Sequence, residues 1–175
     1  MKSLIALCLF VTAGIGCSDS SVNSGQPPLG EIVFEAEYLN FAWGVSWNGT
    51  YVDVNGNVRT YDRSRDTVMW RDDDNGMFTE EELQRKYQRR DTLRSLIPAD
   101  SLSRMKQMAQ TIDAKTYSDT VSMGADMGTW TTSVYLYRPE IKKYQRIILS
   151  QDGDRRFFNT SANAKEISDW LKRIG

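Results

Sequence analysis

Glu35 and Glu37 stand two residues apart in the alternating stretch Ile32 to Tyr38, so a strand would carry both carboxylates on one face. Paired carboxylates are the raw material of general acid and base catalysis, provided a cleft holds them and separates their pKa values. On an open sheet face they have no such environment, and the two are expected as exposed strand carboxylates. Arg85, Lys86, Arg89, Arg90 and Arg94 gather five positive charges within ten residues. The chemistry they offer is attraction to anionic lipid headgroups. Glu80, Glu81, Glu82 and Asp91 offset them, so a solvated helix face is expected. Tyr51 and Tyr61 share one face of a hairpin. If that face is open, the two form an aromatic patch suited to a protein or glycan. If a helix covers it, they become core.

The segment Arg71 to Glu82 has the ligand spacing of a calcium loop. Asp73, Asn75, Gly76, Phe78 and Glu82 match its third, fifth, sixth, eighth and twelfth positions. Arg71 stands at the first position, where a carboxylate is needed and a guanidinium repels the cation. An acidic turn feeding a helix cap explains the same residues, so no metal site is expected. The chain contains no histidine. That removes Ser-His-Asp and Cys-His nucleophiles and the usual zinc sites. Nothing singles out a carboxylate, Lys or Tyr for catalysis. The expectation is a protein without catalytic residues, metal or cofactor. With 22 basic and 23 acidic side chains, the charge balance gives no footprint for nucleic acid.

The elements that position these residues follow from turn and cap signals. Asn48-Gly49 and Asn55-Gly56 predict two tight hairpin turns. A two-residue turn at Asn48-Gly49 sets Trp47 opposite Thr50, Val45 opposite Val52 and Trp43 opposite Val54. A three-residue loop at Asn55-Gly56-Asn57 sets Val54 opposite Val58, Val52 opposite Thr60, Asp53 opposite Arg59 and Tyr51 opposite Tyr61. One face then holds Trp43, Val45, Trp47, Val52, Val54 and Val58, with Trp43 and Trp47 in the core. The other holds Ser46, Tyr51, Tyr61 and the Asp53–Arg59 pair. Ile32, Phe34, Ala36 and Tyr38 form the apolar side of an earlier strand, and Thr67 to Trp70 suggests a further short one.

Thr79-Glu80-Glu81-Glu82 is a capping box, predicting a helix from Glu80 to Ile97 that Pro98 stops. A second helix is expected from Ser101 to Ile112, with Leu102, Met105, Met108, Ala109 and Ile112 on one stripe. Lys115 to Gly128 reads as a loop. Thr129 to Tyr137 and Tyr144 to Ser150 read as a hairpin. A final helix, capped by Ser161, runs to Ile174. Strands and helices segregate in runs, which predicts an α+β fold: an antiparallel N-terminal meander, two helices, a C-terminal hairpin and a last helix.

The start of the chain carries the most specific pattern. Met1-Lys2 is a basic opening, Leu4 to Val11 is apolar, and Thr12-Ala13-Gly14-Ile15-Gly16 leads to Cys17. This resembles the signal peptide and lipobox of a bacterial lipoprotein, with Gly14 where Leu is common. The resemblance implies cleavage before Cys17, a diacylglyceryl group on its sulfur and a third acyl chain on its amine. Residues 1–16 are then the signal, and 17–30 the lipidated cysteine and a Ser-, Asn-, Gly- and Pro-bearing tether. Residues 31–175 form one domain. Cys8 leaves with the signal, so no intrachain disulfide is expected.

Ser18 after the cysteine implies the outer membrane, facing the periplasm. Phe34 to Tyr38, Phe41 to Trp47, Tyr51 to Val58, Ile147 to Asp154 and Asn159 to Leu171 are similar to a loose set of uncharacterised bacterial lipoproteins. Those segments carry turns and caps, so the similarity implies no activity. The functional expectation is a membrane-anchored binding or accessory module of the cell envelope, acting through its sheet face or the loop Lys115 to Gly128 and partnered by an envelope protein or glycan. The alternative is a carboxylate-dependent hydrolase of envelope glycan.

Overall fold

A computed structural model describes residues 29–66, 76–88 and 91–175. Cys17 with its signal and most of the tether, the expected strand Thr67 to Trp70 and most of the acidic loop lie outside the described residues. The last two tether positions belong to the fold, since Leu29 is buried in the core and the Gly30 carbonyl accepts from Tyr144. Among the described residues, three helices combine with a nine-stranded, mostly antiparallel sheet. The strands are β1 (Ile32–Asn40), β2 (Ser46–Val52), β3 (Asn57–Asp62), β4 (Met77–Phe78), β5 (Thr92–Leu96), β6 (Val121–Ser122), β7 (Thr129–Arg138), β8 (Lys143–Gly153) and β9 (Arg155–Phe158). The helices are α1 (Glu80–Tyr87), α2 (Ala99–Ala109) and α3 (Ala164–Ile174). The strand order is β5-β3-β2-β1-β7-β8-β9-β6, with β4 paired to β8. Strands from both ends of the chain thus share one sheet, with β1 between β2 and β7.

Both faces of the sheet are covered, by cores of different chemistry. On one face Ile32, Phe34, Val52, Val58, Val134 and Ile147 pack against α2 and α3 through Leu102, Met105, Ala109, Ile167, Trp170 and Leu171. Phe34 and Trp170 meet edge to face, ring centres 5.2 Å apart. This is an ordinary aliphatic core, sorted by the period of two along each strand. The opposite face carries Val33, Trp47, Tyr51, Tyr61, Tyr135 and Tyr144, and α1 closes it with Leu83 and Tyr87. Four of those five strand aromatics are tyrosines, and this second core is where the polar chemistry lies.

The structure corrects the hairpin at Asn48-Gly49. β2 runs straight through that pair, with Asn48 opposite Tyr38 on one side and Asp62 on the other. Gly49 is needed here for close approach rather than for a turn: a Cβ on it would lie 2.6 Å from the Tyr61 hydroxyl and 2.7 Å from the Ala36 carbonyl. Without the turn, Trp47 falls on the Tyr51 face. Trp43 is 91 % exposed and Val45 is also exposed, so neither belongs to the core.

The remaining turn spans Asp53 to Asn57, and the pairing is Val52 to Val58 and Tyr51 to Arg59. That is two residues from the expected register, which preserves the faces. The Asp53–Arg59 ion pair forms at 3.3 Å. The Asp53 carboxylate also accepts from the backbone amides of Asn55 and Asn57, which ties the turn.

The capping box forms as expected: Glu82 N donates to the Thr79 hydroxyl, and Thr79 N donates to the Glu82 carboxylate at 2.7 Å. The helix ends at Tyr87 rather than Ile97. Beyond Tyr87 the stripe begun by Leu83 would next present Arg90 and Arg94 to a closed core, and the chain instead forms β5 on β3. Leu93 and Leu96 are exposed on that strand. The last helix begins at Ala164, and its cap position, Asn163, makes no side-chain cap bond. Ser161 accepts instead, from Ala164 N through its carbonyl and from Asp113 N through its hydroxyl.

Candidate functional site

Glu35 and Glu37 project from β1 into the aromatic core, and both are buried, Glu35 at 0 % exposure. They are not exposed strand carboxylates. Lys86 is not a solvated residue either: it is 1 % exposed, and its Nζ lies 2.8 Å from both carboxylates. Leu83, Lys86 and Tyr87 make one buried side of α1. The aliphatic stem therefore runs through the same stripe that packs the helix.

Tyr61 donates to Glu35 at 2.7 Å, and its oxygen is 2.9 Å from Glu37. Tyr135 donates to Glu35 at 2.6 Å. Trp47 Nε1 donates to Glu37 at 2.7 Å, and Arg146 pairs with Glu37 at 3.2 Å. Two carboxylates thus meet one ammonium and one guanidinium, each with neutral donors filling the remaining lone pairs. That arrangement makes buried charge tolerable.

Burial pushes the Glu37 carboxyl up, but Lys86, Arg146 and the hydrogen bonds from Lys86 and Trp47 together hold it down, to about 2. Burial would lower the Lys86 ammonium, yet Glu35 and Glu37 hold it above its ordinary value. Burial and the two glutamates push the Tyr61 and Tyr87 hydroxyls well up, and burial does the same to Tyr135. At neutral pH these tyrosines keep their protons, Glu37 is ionised and Lys86 is charged.

Tyr51 and Tyr61 do not form an open binding face. Both are 1 % exposed, because α1 covers them. Tyr87 stacks on Tyr51 with ring centres 4.0 Å apart and planes within 10°. Tyr51 donates to Asp91 at 3.1 Å, and Arg59 bridges Asp91 and Asp53. The candidate carboxylates, tyrosines and Lys86 are thus brought together, in a closed core rather than a site. None of the cavities described below is lined by Glu35 or Glu37. Among the described residues, no group of three or more His, Cys, Asp or Glu is placed to hold a metal.

The exposed chemistry lies at one end of the sheet. Where β1 ends, the segment 41–45 carries Trp43, with Phe41 and Val45 also exposed. The loop before β7 exposes Met123 and Met127. Leu39 pairs with Thr129, so both segments leave the same end of neighbouring strands. A cleft of about 140 Å³ between them is lined by Phe41 and Ala42 on one side and Asp126 and Gly128 on the other.

Asp154 holds the second loop: its carboxylate accepts from Met127 N at 2.8 Å and its carbonyl from Met123 N at 3.0 Å. Gly128 has φ of +73°, and a Cβ there would strike the Tyr38 hydroxyl at 2.6 Å and its ring at 2.9 Å. Asn40 accepts from Ala42 N at 2.8 Å and braces the first segment. An exposed Trp and exposed Met side chains on braced segments at one end of the sheet suit protein recognition: Trp is a common anchor, and Met adapts its shape. Sequence reading singled out the loop 115–128 but placed Trp43 in the core. The false turn at Asn48-Gly49 hid this end of the sheet.

Comparison with known proteins finds no match among family models, curated proteins or solved structures. Among the described residues, no helix is long and apolar enough to cross a membrane.

Proposed function

We propose that this protein is a lipid-anchored binding module of the bacterial cell envelope, held at a membrane by Cys17 and facing the periplasm, with a protein partner at the Trp43 end. The observation that carries the reading is the exposed Phe41, Trp43, Met123 and Met127 set on two braced loops. The polarity of β1 supports it. The chain comes into the sheet at Gly30, whose carbonyl accepts from Tyr144, and Ile32 pairs with Leu136 at that end. The tip lies at the other end of β1, about 30 Å away at the usual rise per residue. A tether from Cys17 would thus hold the tip away from the membrane. Asp126 and Asp154 at the tip favour a partner whose apolar segment is flanked by basic residues.

The hydrolase alternative loses its acid pair, because Glu35 and Glu37 are buried and neutralised by Lys86 and Arg146. The test is site-specific photo-crosslinking in the native envelope, with the photo-reactive group at position 43 and, as a control, at exposed Gln88. A discrete product from position 43, lost when Met127→Asp is added, is expected. Cys17→Ser should reduce it by mislocating the protein. Equal products from both positions, or none from position 43, would overturn the reading.

A further inference from the structure

We propose that the groove between α3 and the β8–β9 hairpin captures the carboxyl-terminal residue of a peptide, because its floor accepts hydrogen bonds, its rim carries net positive charge and its wall is apolar. The groove encloses about 470 Å³, within the range of sites that bury small ligands. A second cavity of about 390 Å³ lies on the other flank of α3, and Asp152 and Lys172 border both.

Between the two stands a ring of three hydroxyls. Thr132 lies 2.9 Å from Ser150 and 2.8 Å from Ser168, and Ser150 lies 2.8 Å from Ser168. A bulge in β8 shifts the register between Thr132 and Ser133, leaving Ser150 opposite Thr132. Each hydroxyl has one proton and two lone pairs. Three contacts consume all three protons and leave lone pairs only. Ser150 and Ser168 line the groove, so a group seated over them must donate, as a peptide N–H does.

The charges are equally specific. Arg156, Lys165 and Lys172 line the groove against Asp152 and Asp169. Arg156 pairs with Asp152 at 2.8 Å, and Lys165 pairs with Asp169. Among the described residues Lys172 makes no ion pair within 4 Å, although with Lys165 it helps hold the Asp169 carboxyl down. Three cations against two carboxylates leave the groove net positive charge for an anion. Leu149, Phe157 and Phe158 supply apolar wall. A donor, a single carboxylate and an apolar side chain occur together in the last residue of a protein chain, and terminal carboxylates are a recurrent recognition feature.

The inference uses none of Phe41, Trp43, Met123 or Met127, so it stands or falls apart from the proposed function. The test is fluorescence anisotropy of the full chain, as Cys17→Ser, with labelled hexapeptides ending in Phe. One peptide has a free carboxylate and its twin a terminal amide. The acid should bind saturably, and the amide about tenfold more weakly. Lys172→Gln should bring the acid down to the amide's affinity and leave the amide unchanged. Ala162→Trp, at an exposed position on the rim, should abolish both without lowering Tm. Trp43→Ser should change neither. No saturable binding up to about 1 mM, equal affinity for acid and amide, or indifference to Lys172→Gln would each overturn the proposal.

Discussion

The Lys86 ammonium is the charge on which the aromatic core depends. Removing one member of a buried ion pair leaves its partner charged and unpaired, which costs about 3–5 kcal/mol. Lys86→Met does this to Glu35 and Glu37 together, since Nζ contacts both. The change also reverses a pH dependence. With Lys86 in place, Glu37 is held low, so its stabilisation is complete at neutral pH. Without Lys86, the burial that already opposes ionisation of Glu37 loses its main counterweight and the carboxyl rises, with Arg146 left to moderate it. A raised carboxyl stabilises the fold below its unfolded pKa, and that contribution is lost as pH rises through the folded value. Urea unfolding of Lys86→Met should therefore give a higher midpoint at pH 5 than at pH 7.5. A lower midpoint at pH 5 would refute this account of the core.

At the scale of elements, β2 depends on the absence of one side chain. Gly49→Ala forces a methyl group against the Tyr61 hydroxyl and the Ala36 carbonyl, and the second is backbone that cannot swing away. A loss of about 1–3 kcal/mol is expected, typical of overpacking, read as a lower denaturation midpoint. Asn55→Ala, in the true turn, removes no such contact. The same glycine shows why this region was only half legible. Period two put Ile32, Phe34 and Ala36 on one side of their own strand, and within the hairpin put Val52 and Val58 on the face opposite Tyr51 and Tyr61, and those assignments hold. Asn-Gly signals both a turn and a close approach, and no neighbouring residue distinguishes the two.

β5 was invisible because every residue of TLRSL is exposed and a bulge interrupts its pairing, so no alternation exists to read. The Glu35 and Glu37 partners were hidden by distance: Lys86 is 51 residues from Glu35. One signal did exist. Lys86 lies on the Leu83–Tyr87 stripe, and a lysine there must either snorkel out or find buried acid.

For the whole molecule, acid should act chiefly through this core. Glu37 folds with its carboxyl near 2, against an ordinary value of 4.5. Its depressed value contributes on the order of 3 kcal/mol, present above about pH 4.5 and lost as pH falls toward 2. Guanidinium unfolding between pH 7 and pH 2.5 should show a plateau above pH 5 and a decline below it. Glu37→Gln should flatten the decline.

The position of β1 has a consequence in time. It is the first described strand along the chain, yet it lies between β2 and β7, and Glu35 meets the Tyr135 hydroxyl 100 residues further on. Pairings between distant segments form slowly, because a long loop must close before any contact rewards it. As the polypeptide is synthesised from its amino end, the middle of the sheet lacks a neighbour until β7 has emerged. The sheet therefore closes late, only once most of the polypeptide is available to complete it.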